Sequence, residues 1–256
     1  MSLCLSLACG NPASSGRPGE GRYTAVDLGS LLRCEESVAT AISDDRVIVG
    51  WCQHGGRVIA FEYRTPNGER ILPGLPGSLL DRARGLNLGG IIVGESDGRA
   101  VRWLASGGAE AIPGLPAGAK SVALAVDERG RVTGLARLPG GPEPFQWDPP
   151  DRVRIGVALI APGTERPRRV RFQYGAFEAE VRDTNHSGST LVAVEGLGHA
   201  PAGALIRADG RVWRLDPAGA GIGAEPLDLS DTCEWIVGYT LTASGRRQAT
   251  WWHRDC

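Results

Sequence analysis

The sequence predicts an all-β protein: a five-bladed β-propeller of four-stranded antiparallel blades, closed by an N-terminal strand at 23–29 that joins the last blade. Three observations predict it. One phrase recurs five times at an interval of about 40–45 residues, the period of a propeller blade. Each copy is built from short apolar alternations separated by turn residues, as short strands require. The last copy stops after its third strand, while a lone strand precedes the first.

The phrase opens with a small-residue strand ending in Asn, Asp or Ser, then turns tightly into a β-branched strand that ends in Gly. The clearest copies are Ala41-Ile-Ser-Asp-Asp-Arg-Val-Ile-Val-Gly50, Gly85-Leu-Asn-Leu-Gly-Gly-Ile-Ile-Val-Gly94 and Ala125-Val-Asp-Glu-Arg-Gly-Arg-Val-Thr-Gly134. The fourth runs from Asp183 to Val192, with Ala193 where the glycine would fall, and the fifth from Asp228 to Gly238. These markers at 50, 94, 134, 193 and 238 are separated by 44, 40, 59 and 45 residues, the long interval coinciding with an insertion at Thr164–Tyr174.

The third strands align as Ala60–Tyr63, Ala100–Trp103, Pro144–Trp147, Ala204–Arg207 and Thr250–His253. Period-2 alternation then places Phe61, Val101, Phe145, Leu205 and Trp251 on one face, with Tyr63, Trp103, Trp147, Arg207 and His253 beside them. Fourth strands are expected at Arg70–Leu75, Glu110–Leu115 and Arg211–Leu215. A four-stranded sheet cannot cover both its faces, so it packs on a neighbour, and twisted sheets packed radially close into a ring. The missing outer strand of the last blade is supplied by Tyr23-Thr-Ala-Val-Asp-Leu-Gly29.

Asp27-Leu-Gly29, Ser37-x-Ala39-x-Ala41-Ile42-Ser43, Val47-Ile-Val-Gly50 and Ala60-Phe61 together resemble the bacterial extracellular repeats of the HAF family. The resemblance spans about residues 23–256 and is strongest in the first two copies. It implies a secreted bacterial protein with a propeller fold, and it carries no activity.

Compartment is read from the cysteines and the first residues. Six cysteines occur without a C-x-x-C pair, which points to disulfides and an oxidising compartment rather than to zinc or thioredoxin-type chemistry. Met1–Cys9 is apolar and ends Leu7-Ala8-Cys9-Gly10, similar to the end of a lipoprotein signal with Cys9 as the lipidated residue; a basic n-region is missing and Ser6 replaces the usual Leu. Residues 1–22 are therefore expected to be a signal-like segment and flexible tether, and 23–256 a single propeller domain. In an up-and-down blade, Cys34 and Cys52 share one end of the ring, and Cys233 and Cys256 share the other. Disulfides Cys34–Cys52 and Cys233–Cys256 are expected.

The formal net charge of -1, from Lys+Arg 28 against Asp+Glu 29, supplies no field for nucleic acid, and membrane contact is expected only through Cys9. The one local basic cluster, Arg166, Arg168, Arg169 and Arg171, reads as a solvated loop and strand face. Ser43, Asn87, Asp127, Asn185 and Ser230 recur at the first hairpin turn of each copy. Such side chains favour turns by bonding their own backbone; the functional alternative is a polar ring at one channel mouth. Asp127, Asp183 and Asp228, on or near inner strands but out of register with one another, are the candidate carboxylates for a glycosidase. His54, His186, His199 and His253 lack metal-ligand spacing, and no nucleophile-elbow, phosphate-loop or dinucleotide motif occurs, so no cofactor is expected.

Trp103, Trp147 and Trp251 are expected to pack between blades, whereas Trp51, Trp213, Trp235 or Trp252 could serve a carbohydrate or peptide if exposed. The expected function is a monomeric, non-catalytic binding or scaffold propeller at the cell envelope, taking a small-molecule, carbohydrate or protein ligand. The alternative is a carbohydrate-active enzyme using funnel carboxylates.

Overall fold

The computed structural model describes residues 23–31, 33–65, 68–104, 108–155, 171–174, 177–185, 189–196, 200–207, 212–232 and 234–254. Cys4, Cys9, Cys233, Cys256, His186, His199, Arg166, Arg168 and Arg169 lie outside them, and with them the expected lipidation site and second disulfide.

The first described elements are β1 (Thr24–Asp27) and one helical turn, α1 (Leu28–Leu31). Blade 1 holds β2 (Glu36–Ile42), β3 (Val47–His54), β4 (Arg57–Arg64) and β5 (Gly68–Leu72). Blade 2 holds β6 (Asp81–Leu86), β7 (Ile92–Ser96), β8 (Arg99–Trp103) and β9 (Ala109–Ala111). Blade 3 holds β10 (Ser121–Val126), β11 (Val132–Leu138), β12 (Gly141–Asp148) and β13 (Arg152–Ile155). Blade 4 holds β14 (Arg171–Tyr174), β15 (Phe177–Thr184), β16 (Thr190–Gly196), β17 (Ala202–Ile206) and β18 (Val212–Leu215). Blade 5 holds β19 (Gly223–Leu229), β20 (Ile236–Leu241) and β21 (Arg247–His253), completed by β1. The fold is a five-bladed antiparallel β-propeller.

Ring closure runs from Thr24↔His253 to Asp27↔Thr250. The closing strand is shorter than the expected 23–29: after Asp27 the chain turns into α1, which buries Leu28 completely against blades 5 and 1. Blade 4 departs from four strands. The end of the expected insertion forms β14, which pairs with the first half of β15 on the edge away from β16. β14 therefore lies on the axis side, at the end of the channel where the inner strands begin.

Every inner strand carries a β-bulge at one register: between Ala39 and Ala41, Ala83 and Gly85, Ala123 and Ala125, Val181 and Asp183, and Pro226 and Asp228. A bulge bends its strand and raises the local twist, so five copies at one level curve every sheet alike. This feature explains the repeated glycine. A Cβ on Gly50, Gly94, Gly134 or Gly238 would lie 2.1, 1.9, 2.1 or 2.0 Å from the backbone oxygen of Val38, Arg82, Val122 or Glu225. In blade 4 the residue at this level is Val192, opposite Val181, so the expected marker at Ala193 is one position too late.

Among the described residues, hydrophobic clusters fill four junctions between blades: 5 on 1, 1 on 2, 2 on 3 and 4 on 5. The third strands set them. Phe61 pairs with Gly50, Val101 with Gly94 and Phe145 with Gly134, and the same register gives Ala204 and Thr250 in blades 4 and 5. Leu205 and Trp251, expected beside Phe61, therefore occupy the opposite face, because a slip of one residue inverts a strand. The residue equivalent to Trp103 is Trp252, not His253: Trp103 Nε1 donates to Pro73 O at 2.8 Å and Trp252 Nε1 to Asp216 O at 2.7 Å. Each indole thus docks on the outer-strand exit of the preceding blade. A hydroxyl assists in both places, with Leu75 N donating to Ser96 Oγ and Ala218 N to Thr240 Oγ1, both at 2.9 Å.

Cys34 and Cys52 form a disulfide with Cα atoms 5.6 Å apart. It fixes the segment between α1 and β2 to the end of β3, beside the ring closure, and is consistent with an oxidising compartment.

Candidate functional site

The five turn residues lie at one end of the propeller, and each is used by its own turn. Ser43 Oγ accepts from Val47 N (3.3 Å), Asn87 Oδ1 from Ile91 N (2.9 Å) and Asp127 Oδ1 from Arg131 N (2.8 Å). Asn185 Oδ1 accepts from Ser189 N (3.0 Å) and Ser230 Oγ from Trp235 N (3.0 Å). The amide of Asn87 also donates to Asp127 O (2.8 Å) and that of Asn185 to Ser230 O (3.3 Å), linking each turn to the next blade.

Among the candidate carboxylates, Asp183 and Asp228 share one register after all, each directly following its bulge; Asp127 lies two positions further along. Both side chains are buried and reach across a junction: Asp183 Oδ2 accepts from Leu229 N (3.3 Å) and Asp228 Oδ2 from Ile42 N (2.9 Å). These carboxylates fasten blade 4 to blade 5 and blade 5 to blade 1.

The tryptophans offer no aromatic platform among the described residues. Trp51, Trp235 and Trp252 are buried, and Trp213 packs edge-on against Tyr23 with centroids 6.4 Å apart. Among the described residues no three His, Cys, Asp or Glu side chains are grouped to hold a metal ion.

The arrangement with chemical potential lies at the opposite end, where the inner strands begin. The residues following the marker glycines, Trp51, Glu95 and Tyr239, reach towards the first residues of neighbouring strands. Arg82 Nη1 and Arg84 Nη2 both meet Glu95 Oε1, at 3.3 and 3.0 Å. The Arg82 guanidinium also lies 5.3 Å from the Trp51 ring centroid, and that of Arg247, from blade 5, lies 5.1 Å from it. Arg247 stacks 5.9 Å from Tyr239 and is ion-paired with Glu36. A continuous array, Glu36–Arg247–Trp51–Arg82–Glu95–Arg84, thus crosses blades 5, 1 and 2.

Its accessible charge is positive. The side chains of Arg82, Arg84 and Arg247 are 27%, 34% and 41% exposed, whereas Glu95 and Glu36 are 15% and 24% exposed. In each pair the arginine side chain is more exposed than its carboxylate partner, with three cations for two anions. Trp51 was singled out in the sequence without a place; Arg82, Arg84, Glu95, Tyr239 and Arg247 were not. The available signal was the position after the glycine, where Trp51, Glu95, Leu135 and Tyr239 differ between copies that otherwise agree.

Among the described residues, two ionisable groups depart from their ordinary behaviour, both away from this array. Burial, then the charge of Glu234, raises the Tyr23 phenol, with Arg254 and Arg207 opposing. At Asp148, desolvation pulls upward, but hydrogen bonds and charge from Arg154, then Arg131, outweigh it and hold the carboxyl low.

No family model matches the chain, and no curated protein matches it. Among solved structures it is similar to a gluconolactonase from Xanthomonas campestris, at 11% identity over 91% of this chain and 90% of that one, with a TM-score of 0.41. It is also similar to a streptogramin B lyase, at 10% identity over 84% of this chain and 78% of that one, with a TM-score of 0.37. At such distances these likenesses carry no argument about activity.

Proposed function

We propose that this chain is a secreted or envelope-anchored bacterial propeller of the HAF type, possessing no catalytic centre, that binds an anionic ligand at the axial end where the inner strands begin. The observation supporting this is the layer of part-exposed arginine side chains from blades 2 and 5, each less buried than the carboxylate it pairs with. Such a layer presents directed donors to an anion at little ordering cost, because Glu95, Glu36 and Trp51 already hold the side chains in place. The glycosidase alternative is weakened because Asp183 and Asp228 accept backbone amides across blade junctions. Lipidation at Cys9 and a second disulfide, Cys233–Cys256, fit the same extracytoplasmic setting and remain part of the proposal.

The test is a binding screen of the full chain against anionic and neutral glycans, peptides and small molecules at low and high salt, with glycoside hydrolysis measured in parallel. Binding of anions that weakens as salt screens exposed charge is expected, with no turnover. Selective binding of neutral ligands, or glycoside hydrolysis that disappears in D183N or D228N, overturns the reading.

A further inference from the structure

We infer that the axial array is a site for a small polycarboxylate, with Arg82, Arg84 and Arg247 as its carboxylate-binding groups. This rests on the reading of that end as the recognition surface and names its ligand class.

The chemistry of the array argues for carboxylate. Two of its three guanidiniums already meet a carboxylate oxygen of Glu95 at 3.0 and 3.3 Å, and the third meets Glu36. The planar guanidinium fork matches a carboxylate with two parallel hydrogen bonds. One Glu95 oxygen shared by two arginines leaves other N–H groups of both guanidiniums for a further acceptor.

Size and valence follow from Trp51. The Arg82 and Arg247 guanidiniums lie 5.3 and 5.1 Å from that ring's centroid, so these cations from blades 2 and 5 stand at most about 10 Å apart, a gap that carboxylates on a short carbon skeleton can bridge. The buried indole holds them by cation–π attraction. Trp51 is only 6% exposed, so it offers no open face for stacking a neutral sugar. A ligand with two or three carboxylates on a few carbons satisfies such an array; a single carboxylate engages one side of it.

The experiment is calorimetric titration of the full chain with propane-1,2,3-tricarboxylate, butyrate and inorganic phosphate, at low salt. The variants are R82Q, R247Q and R82K, with R154Q as the control on the outer strand of blade 3. Tricarboxylate is expected to bind at least about tenfold more tightly than butyrate or phosphate, and each axial variant to weaken it about tenfold or more, the scale of one charge-assisted hydrogen bond. R82K keeps the charge and loses the fork, so it should weaken binding too, while R154Q leaves it unchanged. Melting temperatures confirm that each variant is folded. Equal binding of butyrate or phosphate, no tricarboxylate binding at millimolar concentration, or unchanged binding by folded axial variants overturns the inference. If another anion binds and is lost in R82Q and R247Q, the ligand class fails while the functional reading stands. If no anion binds, both fail.

Discussion

Gly90 and Gly94 stand in the same hairpin of blade 2 and are glycines for different physical reasons. Gly90 ends the turn at φ 79°, in the left-handed region, and a Cβ there would meet nothing within 4 Å. Gly94 faces the bulge of β6, where a Cβ would sit 1.9 Å from the carbonyl oxygen of Arg82. G90A should therefore cost only the conformational penalty, about 1–2 kcal/mol. G94A has to push one strand backbone off another, and its cost should reach or exceed about 3 kcal/mol, the upper range of core overpacking. Urea unfolding of the two variants checks the order; equal losses would mean the bulge is not what requires the glycine. Arg46 and Glu234 end the equivalent turns of blades 1 and 5 at φ 59° and 54°. Side chains are retained there because they have contacts: Arg46 lies 4.6 Å over the Trp235 ring, and Glu234 accepts from Ser189 Oγ at 2.5 Å.

At the scale of strands, Trp251 and Trp252 are adjacent and both buried, yet they occupy opposite faces of β21. Trp252 donates to Asp216 O, while Trp251 Nε1 is buried with no acceptor. W252F should lose a hydrogen bond and leave that carbonyl unsatisfied; W251F loses volume and alters the ring contact with His253 but breaks no hydrogen bond. Their stabilities should differ by about 1–2 kcal/mol, W252F being the weaker, and thermal melts of both variants measure this directly. Equal melting temperatures would mean that the Trp252–Asp216 hydrogen bond adds nothing to stability. The same pair shows what was legible. Turn residues, strand order and ring closure were readable because each depends on a local residue type at a fixed interval. Facing was readable in blades 1 to 3, where an aromatic or branched apolar residue alternates with alanine, proline or a polar residue. It failed in blade 5, where two tryptophans in succession give alternation nothing to choose between. It failed in blade 4 as well, where Val192, Ala204 and Ile206 replace the glycine and aromatic markers. The bulges were invisible because a bulge is a property of a pair of strands. The axial arginines were missed for a related reason: Arg82, Glu95 and Arg247 look like ordinary solvated alternation until blades 5, 1 and 2 meet around one axis.

For the whole molecule, stability depends on holding β1 against β21, and two devices stand where the ends meet. The Cys34–Cys52 bridge closes a loop with a sequence separation of 18, worth about 3 kcal/mol in the chain-entropy account. A C34S/C52S variant should lose a stabilisation of that size in urea, and any response to reductant that it keeps should come from the proposed Cys233–Cys256 bridge alone. At the other end of β1, Tyr23 Oη donates to Glu234 O at 3.1 Å, close to Arg254 and Arg207. Burial and Glu234 keep this phenol protonated in the folded ring beyond its ordinary pKa of about 10. Because the folded value is raised, the contribution is complete below pH 10 and is lost as pH climbs above it, where the unfolded chain releases the proton first. The melting temperature should fall between about pH 10 and 12, and Y23F should flatten that fall while lowering stability slightly at neutral pH through the lost hydrogen bond. A wild-type chain whose alkaline decline is matched by Y23F would show that the phenol is not sealed in the closure. β1 would then be free to leave β21, exposing an unpaired strand edge that invites association with other chains. Light scattering across the same alkaline range tests that consequence separately from unfolding of the blades.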